Sequence, residues 1–276
     1  MTLAAMKMSD QRRKAEQFRA LHMPGRPLVL FNIWDAGSAK AIAASGAKAI
    51  ATSSWSVANA NGFSDGEQIS LTLAIGNLRR IVGATDLPVT IDLESGYGDV
   101  SEGVGETIAA AINAGAIGCN LEDSFPANGR LRGTGDQANR IRRARQAADA
   151  ASIPFFINAR TDVFFQRPPE QHDKGMLVEV IERVNAYRDA GADGLFAPGL
   201  ADNTLIARLA EASPLPLNIM VGDASPTLRA LADHGVARVS YGPRPYLMAM
   251  KALGDGARAK DLSHGATTSP SADSSS

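Results

Sequence analysis

The stretch Leu87-Pro88-Val89-Thr90-Ile91-Asp92-Leu93-Glu94-Ser95-Gly96-Tyr97-Gly98 (residues 87–98) runs from an apolar, strand-like segment into two carboxylates and then a Gly-Tyr-Gly break. Side chains two apart on a strand share a face, so Asp92 and Glu94 are expected on the same side. There they repel and lose hydration unless a cation, a donor or solvent compensates. The pattern recurs along the chain. Short β-rich runs at PLVLFNI (27–33), AIATSS (49–54), PVTIDLE (88–94), GCNLED (118–123), PFFINAR (154–160), GLFAPG (194–199), LNIMV (217–221) and RVSYG (238–242) alternate with longer amphipathic stretches. Examples of the latter are ETIAAAINAGA (106–116), ANRIRRARQAADA (138–150) and MLVEVIERVNAYRDAGA (176–192), with apolar residues at three- and four-residue spacing. Three turns that feed a strand are nearly one phrase: Ala44-Ser45-Gly46-Ala47, Asn113-Ala114-Gly115-Ala116 and Asp189-Ala190-Gly191-Ala192. Each offers Gly where a helix ends in a left-handed residue. Eight strand-then-helix units predict an α/β fold of (β/α)8 TIM-type barrel form, with a doubly wound sheet as the alternative.

Ser9 to Leu21 reads as an extra amino-terminal helix, and residues 1–254 as a single barrel domain. Residues 255–276 are polar, ending in TTSPSADSSS, and are expected to be a disordered tail. The connection after the fourth strand, residues 124–136, is long and glycine-bearing, which predicts a lid or binding loop. Gly129, Gly133 and Gly135 would ease its movement, and Arg130 and Arg132 would meet a distal substrate carboxylate on closure.

Of the 276 residues, 45% are apolar and 5% aromatic, enough for one sizeable aliphatic core. The 28 Lys and Arg against 29 Asp and Glu leave no basic excess to attract nucleic acid or an anionic membrane. A small polar ligand is the expected partner. The single Cys119 permits no intrachain disulfide, and neither a long apolar span nor a signal-like amino terminus is seen, so a cytoplasmic location is expected. Cys119 has the opposite parity to Asn120 and Glu122 and should point toward the helices. The four His, at 22, 172, 234 and 264, are expected at surface or helix-cap positions.

In a barrel, chemistry gathers at the carboxyl ends of the strands. Asp92 and Glu94, Asn120 and Glu122, and Asn158 and Arg160 would share faces there, joined by Ser53, Ser54 and Trp55, by Asp65 from a loop, and by Asn218. Oxygen ligands without a His or Cys cluster suit Mg2+ or Mn2+, so the acids point to a hard cation. The same ion can bind a 2-oxo carboxylate through its carboxyl and keto oxygens, with Arg160 pairing the acid and helping to hold an enolate. Each residue also has a plainer reading: Arg160 as a structural partner of Glu122, Trp55 as a core cap, Asn218 as a satisfier of backbone groups.

Taken together these residues resemble the isocitrate lyase and phosphoenolpyruvate mutase superfamily. The resemblance runs from Phe31-Asn32-Ile33-Trp34-Asp35 to Val239-Ser240-Tyr241-Gly242. It includes Ser53-Ser54-Trp55, Gly62-Phe63-Ser64-Asp65, the Asp92–Gly98 stretch, Leu121-Glu122-Asp123 and Asn158-Ala159-Arg160-Thr161-Asp162. It implies that Asp92 holds Mg2+ most directly, with Glu94, Glu122 and Asp65 binding its waters. Ser53, the backbone amides near Ser54 and Trp55, and Arg160 would hold a 2-oxo acid and its enolate. It also implies a homo-oligomer, commonly a tetramer with exchanged carboxy-terminal helices. Isocitrate and methylisocitrate lyases carry a Lys-(Lys or Arg)-Cys-Gly-His type sequence in the lid, where this chain reads Ser124-Phe125-Pro126-Ala127-Asn128-Gly129-Arg130-Leu131-Arg132. That difference counts against isocitrate cleavage, and a missing Lys-Thr-Asn segment counts against a phosphonopyruvate mutase. The expectation is a Mg2+-dependent lyase cleaving a C–C bond beside a 2-oxo or 2-hydroxy carboxylate, oxaloacetate decarboxylation included. The alternatives are a metal-dependent hydrolase of oxaloacetate or acylpyruvate-like substrates, and a non-catalytic 2-oxo acid binder.

Overall fold

Each of the eight apolar runs contains a strand: β1 (Leu28–Leu30), β2 (Ile50–Ala51), β3 (Val89–Asp92), β4 (Gly118–Glu122), β5 (Phe156–Arg160), β6 (Gly194–Phe196), β7 (Leu217–Met220) and β8 (Arg238–Ser240). The computed structural model describes residues 3–98 and 101–264. Helix α1 (Leu3–Ala20) precedes the strands. Between and after them come α2 (Ala36–Ala44), α3 (Ser54–Ala60), α4 (Leu71–Val82), α5 (Ser101–Asn113), α6 (Thr134–Ala150), α7 (Lys174–Asp189), α8 (Asn203–Ala212), α9 (Leu228–Asp233) and α10 (Arg244–His264). The strands form one sheet in the order β1-β8-β7-β6-β5-β4-β3-β2, every neighbouring pair parallel. The circle closes between β1 and β2 through one parallel bridge, Ile33 with Thr52. There Ile33 N–H donates to Ala51 O at 2.9 Å and Ser53 N–H to Ile33 O at 3.1 Å. This is a (β/α)8 barrel.

Strand parity divides the core in two. Ile91, Leu93, Cys119, Leu121, Ile157 and Ala159 are buried in one apolar cluster with Val104, Ile108, Ile141 and Ala144 of the surrounding helices. Cys119 therefore faces the helices, and burial pushes its thiol pKa upward. On β3 and β4 the opposite faces turn into the barrel with polar residues, Thr90, Asp92, Asn120 and Glu122, and on β5 Asn158 and Arg160 join them. Asn120 Oδ1 accepts from Asn158 Nδ2 at 2.9 Å and from Arg238 Nη2 at 3.3 Å. Because β4 and β8 are not neighbours in the sheet, the second bond crosses the interior.

Helix α1 reaches the barrel through Ala15 and Phe18, both fully buried. Just after it, His22 stacks on Phe156 at 4.1 Å between ring centroids and bonds through Nδ1 to the Phe18 carbonyl at 2.8 Å. The surface or cap position expected for His22 is corrected here: the ring is part of the apolar packing beneath the barrel. His234 does cap α9.

At the other end, α10 continues through residues 255–264, where composition suggested that the tail had begun. Helical spacing persists there despite the polar residues, with Lys251 and Arg258 both pairing to Asp255. The rest of the expected tail, 265–276, lies outside the described residues. No helix among the described residues is long and apolar enough to cross a membrane.

Candidate active site

The carboxyl ends of the strands surround a cavity of about 180 Å³. Asp92 closes β3 at its edge, with its backbone N–H donating to Thr52 Oγ1 at 2.9 Å. Ser54 approaches Asp92 Oδ2 with its N–H at 3.3 Å and its hydroxyl at 3.1 Å. Asp92 Oδ1 is buried and has no hydrogen-bond partner. Ser53 caps α3, its hydroxyl accepting from Ser56 N–H at 3.3 Å, and so fixes the turn that presents Ser54 and Trp55 to the cavity.

Glu94 departs from strand parity. The strand ends at Asp92, and Glu94 takes a left-handed φ of 50°. Its carboxylate turns to the loop bearing Asp65, where Oε2 accepts from Gly66 N–H at 2.8 Å and Glu67 N–H at 2.7 Å. Glu67 answers in the other direction, its Oε1 accepting from Ser95 Oγ at 2.8 Å and Tyr97 N–H at 2.9 Å. This reciprocal clasp fixes Asp65 at the cavity rim. Only 3% of Glu94 is exposed, and burial, reinforced by the Asp65 charge, pushes its pKa up to about 8. The pKa of Asp65 is also raised, by desolvation of a carboxyl turned into the mouth and by Asp92, against the pull of Arg160.

Arg160 ends β5 and is held by two acids. Nη1 lies 2.8 Å from Glu122 Oε2, while Nε and Nη2 donate to the two oxygens of Asp162 at 2.6 and 3.0 Å. These bonds engage three of the five N–H groups of a guanidinium and leave the others for a ligand in the cavity that Arg160 lines. The paired acids drive the Arg160 pKa well above its ordinary value in spite of burial. Asp162 is itself positioned: its N–H donates to Asp123 Oδ1 at 2.9 Å, and Asp123 Oδ2 accepts from Tyr187 OH at 2.8 Å and Arg183 Nη1 at 3.2 Å. The Ser124 hydroxyl lies 2.9 Å from Glu122 Oε1 and 2.8 Å from Asp162 Oδ2. One hydroxyl proton cannot serve both oxygens. Burial pushes the Glu122 pKa upward, against the opposing pull of the Arg160 charge.

The sequence-derived set thus divides. Ser53, Ser54, Trp55, Asp65, Asp92 and Arg160 line one cavity. Glu122 stands behind Arg160, its oxygens taken by Arg160 and Ser124. Asn218 is buried below, where its Oδ1 accepts from Ser240 Oγ at 3.1 Å. The supposed lid is an anchored hairpin: Ser124 bridges Leu131, Phe125 N–H donates to Arg130 O at 2.9 Å, and Arg132 N–H to Asp123 O at 2.7 Å. Arg132, 5% exposed, lays its guanidinium 4.0 Å from the centroid of the Phe125 ring. Arg130 is exposed, and neither arginine lines the cavity. Sequence reasoning passed over Phe165, Phe196, Met220 and Pro243 on the cavity wall, because an apolar residue at a strand end reads as core.

Among the described residues, no three acidic, His or Cys side chains converge closely enough to ligate one ion together. The donor set nevertheless fits Mg2+, which keeps several waters and needs only one or two carboxylates directly. Asp92, with its unpartnered Oδ1, suits direct contact, while the oxygens of Glu94 and Glu122 are already committed to the chain.

Residues 18–260 match the family model described as phosphoenolpyruvate phosphomutase. A solved structure from Burkholderia cenocepacia J2315, described as a "putative phosphonomutase", is 57% identical, with a TM-score of 0.89 over 91% of this chain and 99% of that one. An uncharacterized protein of Mycobacterium tuberculosis is 34% identical over 247 residues, 88% of either chain. The 2-methylisocitrate lyase of Escherichia coli is 30% identical over 238 residues, 81% of this chain and 76% of that one. A family match of this extent, on a (β/α)8 barrel with its acids and arginine at one mouth, sets aside the non-catalytic binder: the chain belongs to the phosphoenolpyruvate phosphomutase family, within the isocitrate lyase/PEP mutase superfamily, and is an enzyme.

Proposed function

We propose that this enzyme is a Mg2+-dependent lyase that cleaves a C–C bond beside a 2-oxo or 2-hydroxy carboxylate, leaving the bonding electron pair as an enolate. The observation that carries the reading is that Asp92, whose buried Oδ1 has no partner, and Arg160 line one cavity. When bound, Mg2+ would supply Lewis-acid polarisation of the carboxyl and keto oxygens. Ser53, Ser54 and Trp55 hold the substrate carboxylate on the Asp92 side. Arg160 directs its remaining N–H groups to the oxygen on which negative charge develops, and Glu122 and Asp162 keep the guanidinium in place. Asp65, at the cavity rim, is the group assigned to move a proton at the substrate carbon. Glu94 holds the loop that carries Asp65.

Steady-state assays over 2-oxo and 2-hydroxy mono-, di- and tricarboxylates, with and without Mg2+, test this reading. Turnover should require the ion, and Asp92→Ala should lose it by about a hundredfold or more while unfolding as cooperatively as the parent. Metal-independent turnover, or near-normal turnover in Asp92→Ala, would overturn the assignment.

A further inference from the structure

Around the mouth of the barrel, the charged groups of the lining stop between β5 and β6. From β1 to β5 the lining carries all of its charged groups, Asp65, Asp92 and Arg160, with Trp55 the one large apolar side chain among them. From β6 onward it is lined by Phe196, Met220, Gly242 and Pro243, with Phe165 folding in from the loop after β5; the one polar side chain there, Ser240, gives its hydroxyl proton to Asn218 Oδ1 at 3.1 Å. Phe196 pairs in register with Arg160, so β6 places an aromatic ring at the level where β5 places its guanidinium. We propose that the substrate carries an uncharged, apolar group at the end remote from its acid head, seated against Phe196, Met220 and Pro243. This rests on the 2-oxo or 2-hydroxy acid head proposed above and narrows the class to alkyl- or aryl-substituted monocarboxylates.

Charge decides against the alternative. Arg160 is the one cation among the described residues that line the cavity, and Glu122 and Asp162 already hold it. A second carboxylate against the β6–β8 wall would lose its hydration beside rings and a thioether, within the field of Asp65 and Asp92, with no cation lining that wall; Arg238 of β8 is buried beneath the lining, against Asn120. Arg130 and Arg132, the residues expected to receive it, lie outside the lining. The wall is also shaped as an apolar seat. Phe196 is 4% exposed and so fixed by packing, whereas Phe165 leaves 48% of its surface open at the mouth. Gly242, at φ 54°, lies so close to Met220 that a Cβ there would come 2.6 Å from Sδ. Glycine at this position lets the flexible Met220 side chain lie along the wall, where it can adapt to a hydrocarbon group.

Calorimetric titration of the full chain in saturating Mg2+ with three probes separates the two readings. Oxalate reports the acid-head site alone, 4-methyl-2-oxopentanoate adds an apolar tail, and 2-oxoglutarate adds a distal carboxylate. Oxalate should bind in a Mg2+-dependent manner, and 4-methyl-2-oxopentanoate should bind at least about tenfold tighter than 2-oxoglutarate. Phe165→Arg, a change at an exposed loop position, should narrow or reverse that ratio. If oxalate binds but 2-oxoglutarate is held as tightly as the branched acid, or if Phe165→Arg leaves the ratio unchanged, the apolar seat is wrong while the head-group site stands. If oxalate does not bind, the head-group reading fails and this inference falls with it.

Discussion

Glu94 shows how much of this site is set within a single residue. Its side chain accepts two backbone N–H groups in a place where burial raises its pKa to about 8, from 4.5. Below pH 4.5 the carboxyl is protonated in both folded and unfolded chains. Between 4.5 and 8 only the folded chain retains the proton, so without Mg2+ the stability from this group is lost as pH rises, by at most about 1.4 kcal/mol per unit. Glu94→Gln keeps an acceptor for both N–H groups and cannot ionise. Its metal-free melting temperature should fall less than that of the parent between pH 5 and 8; parallel curves would refute the shift. The acids at the end of β3 were legible because a polar pair before a glycine break is unusual after an apolar run. The turn at Glu94 was not. Glu67, Glu94 and Tyr97, three of the four left-handed non-glycine residues among those described, meet in one clasp, and tertiary bonds impose a conformation that none of them favours alone.

Between elements, the joint of α1 with the barrel makes the second prediction. Burial, and then the charge of Arg238, lower the His22 pKa to about 3, and the bond to the Phe18 carbonyl only partly opposes them. The folded chain therefore keeps the ring neutral, with Nδ1–H as donor. Stability from this group is present above pH 6.5 and is lost as pH falls toward 3, because the unfolded chain takes up a proton that the folded one refuses. Relative to His22→Phe, the parent should lose about 2 kcal/mol between pH 6.5 and 5, read from urea midpoints. An identical acid response would mean that His22 is hydrated. Strands and helices were legible as alternating periods, whereas the burial of His22 depends on Phe156, distant in sequence. The anchoring of the loop after β4 was not legible for a similar reason. Its length and glycines suggest movement, but Ser124, Arg132 and the Arg183 bond to the Arg132 carbonyl at 3.0 Å tie it down.

For the whole molecule, the barrel was legible because eight repeats of one unit leave few ways to bury both faces of a parallel sheet. Its two-sided mouth was not, since only closure brings β6, β7 and β8 to face β1 through β5 across one cavity. Closure is also uneven. The β4–β5 ladder aligns five residue pairs, while β1 and β2 meet at the single bridge of Ile33 with Thr52. In hydrogen exchange, the Ile33 and Ser53 amides should open at lower free energy than those of the β4–β5 ladder. Equal protection at the two places would refute this. Asn32 and Ser53 stand on opposite banks of that seam, and both line the cavity. A ligand that touches both can be gripped fully only when the ring is shut. Occupancy and ring closure are then one thermodynamic event. The slowing of these two amides with rising ligand concentration would serve as a binding isotherm recorded by the backbone, readable before any product is identified.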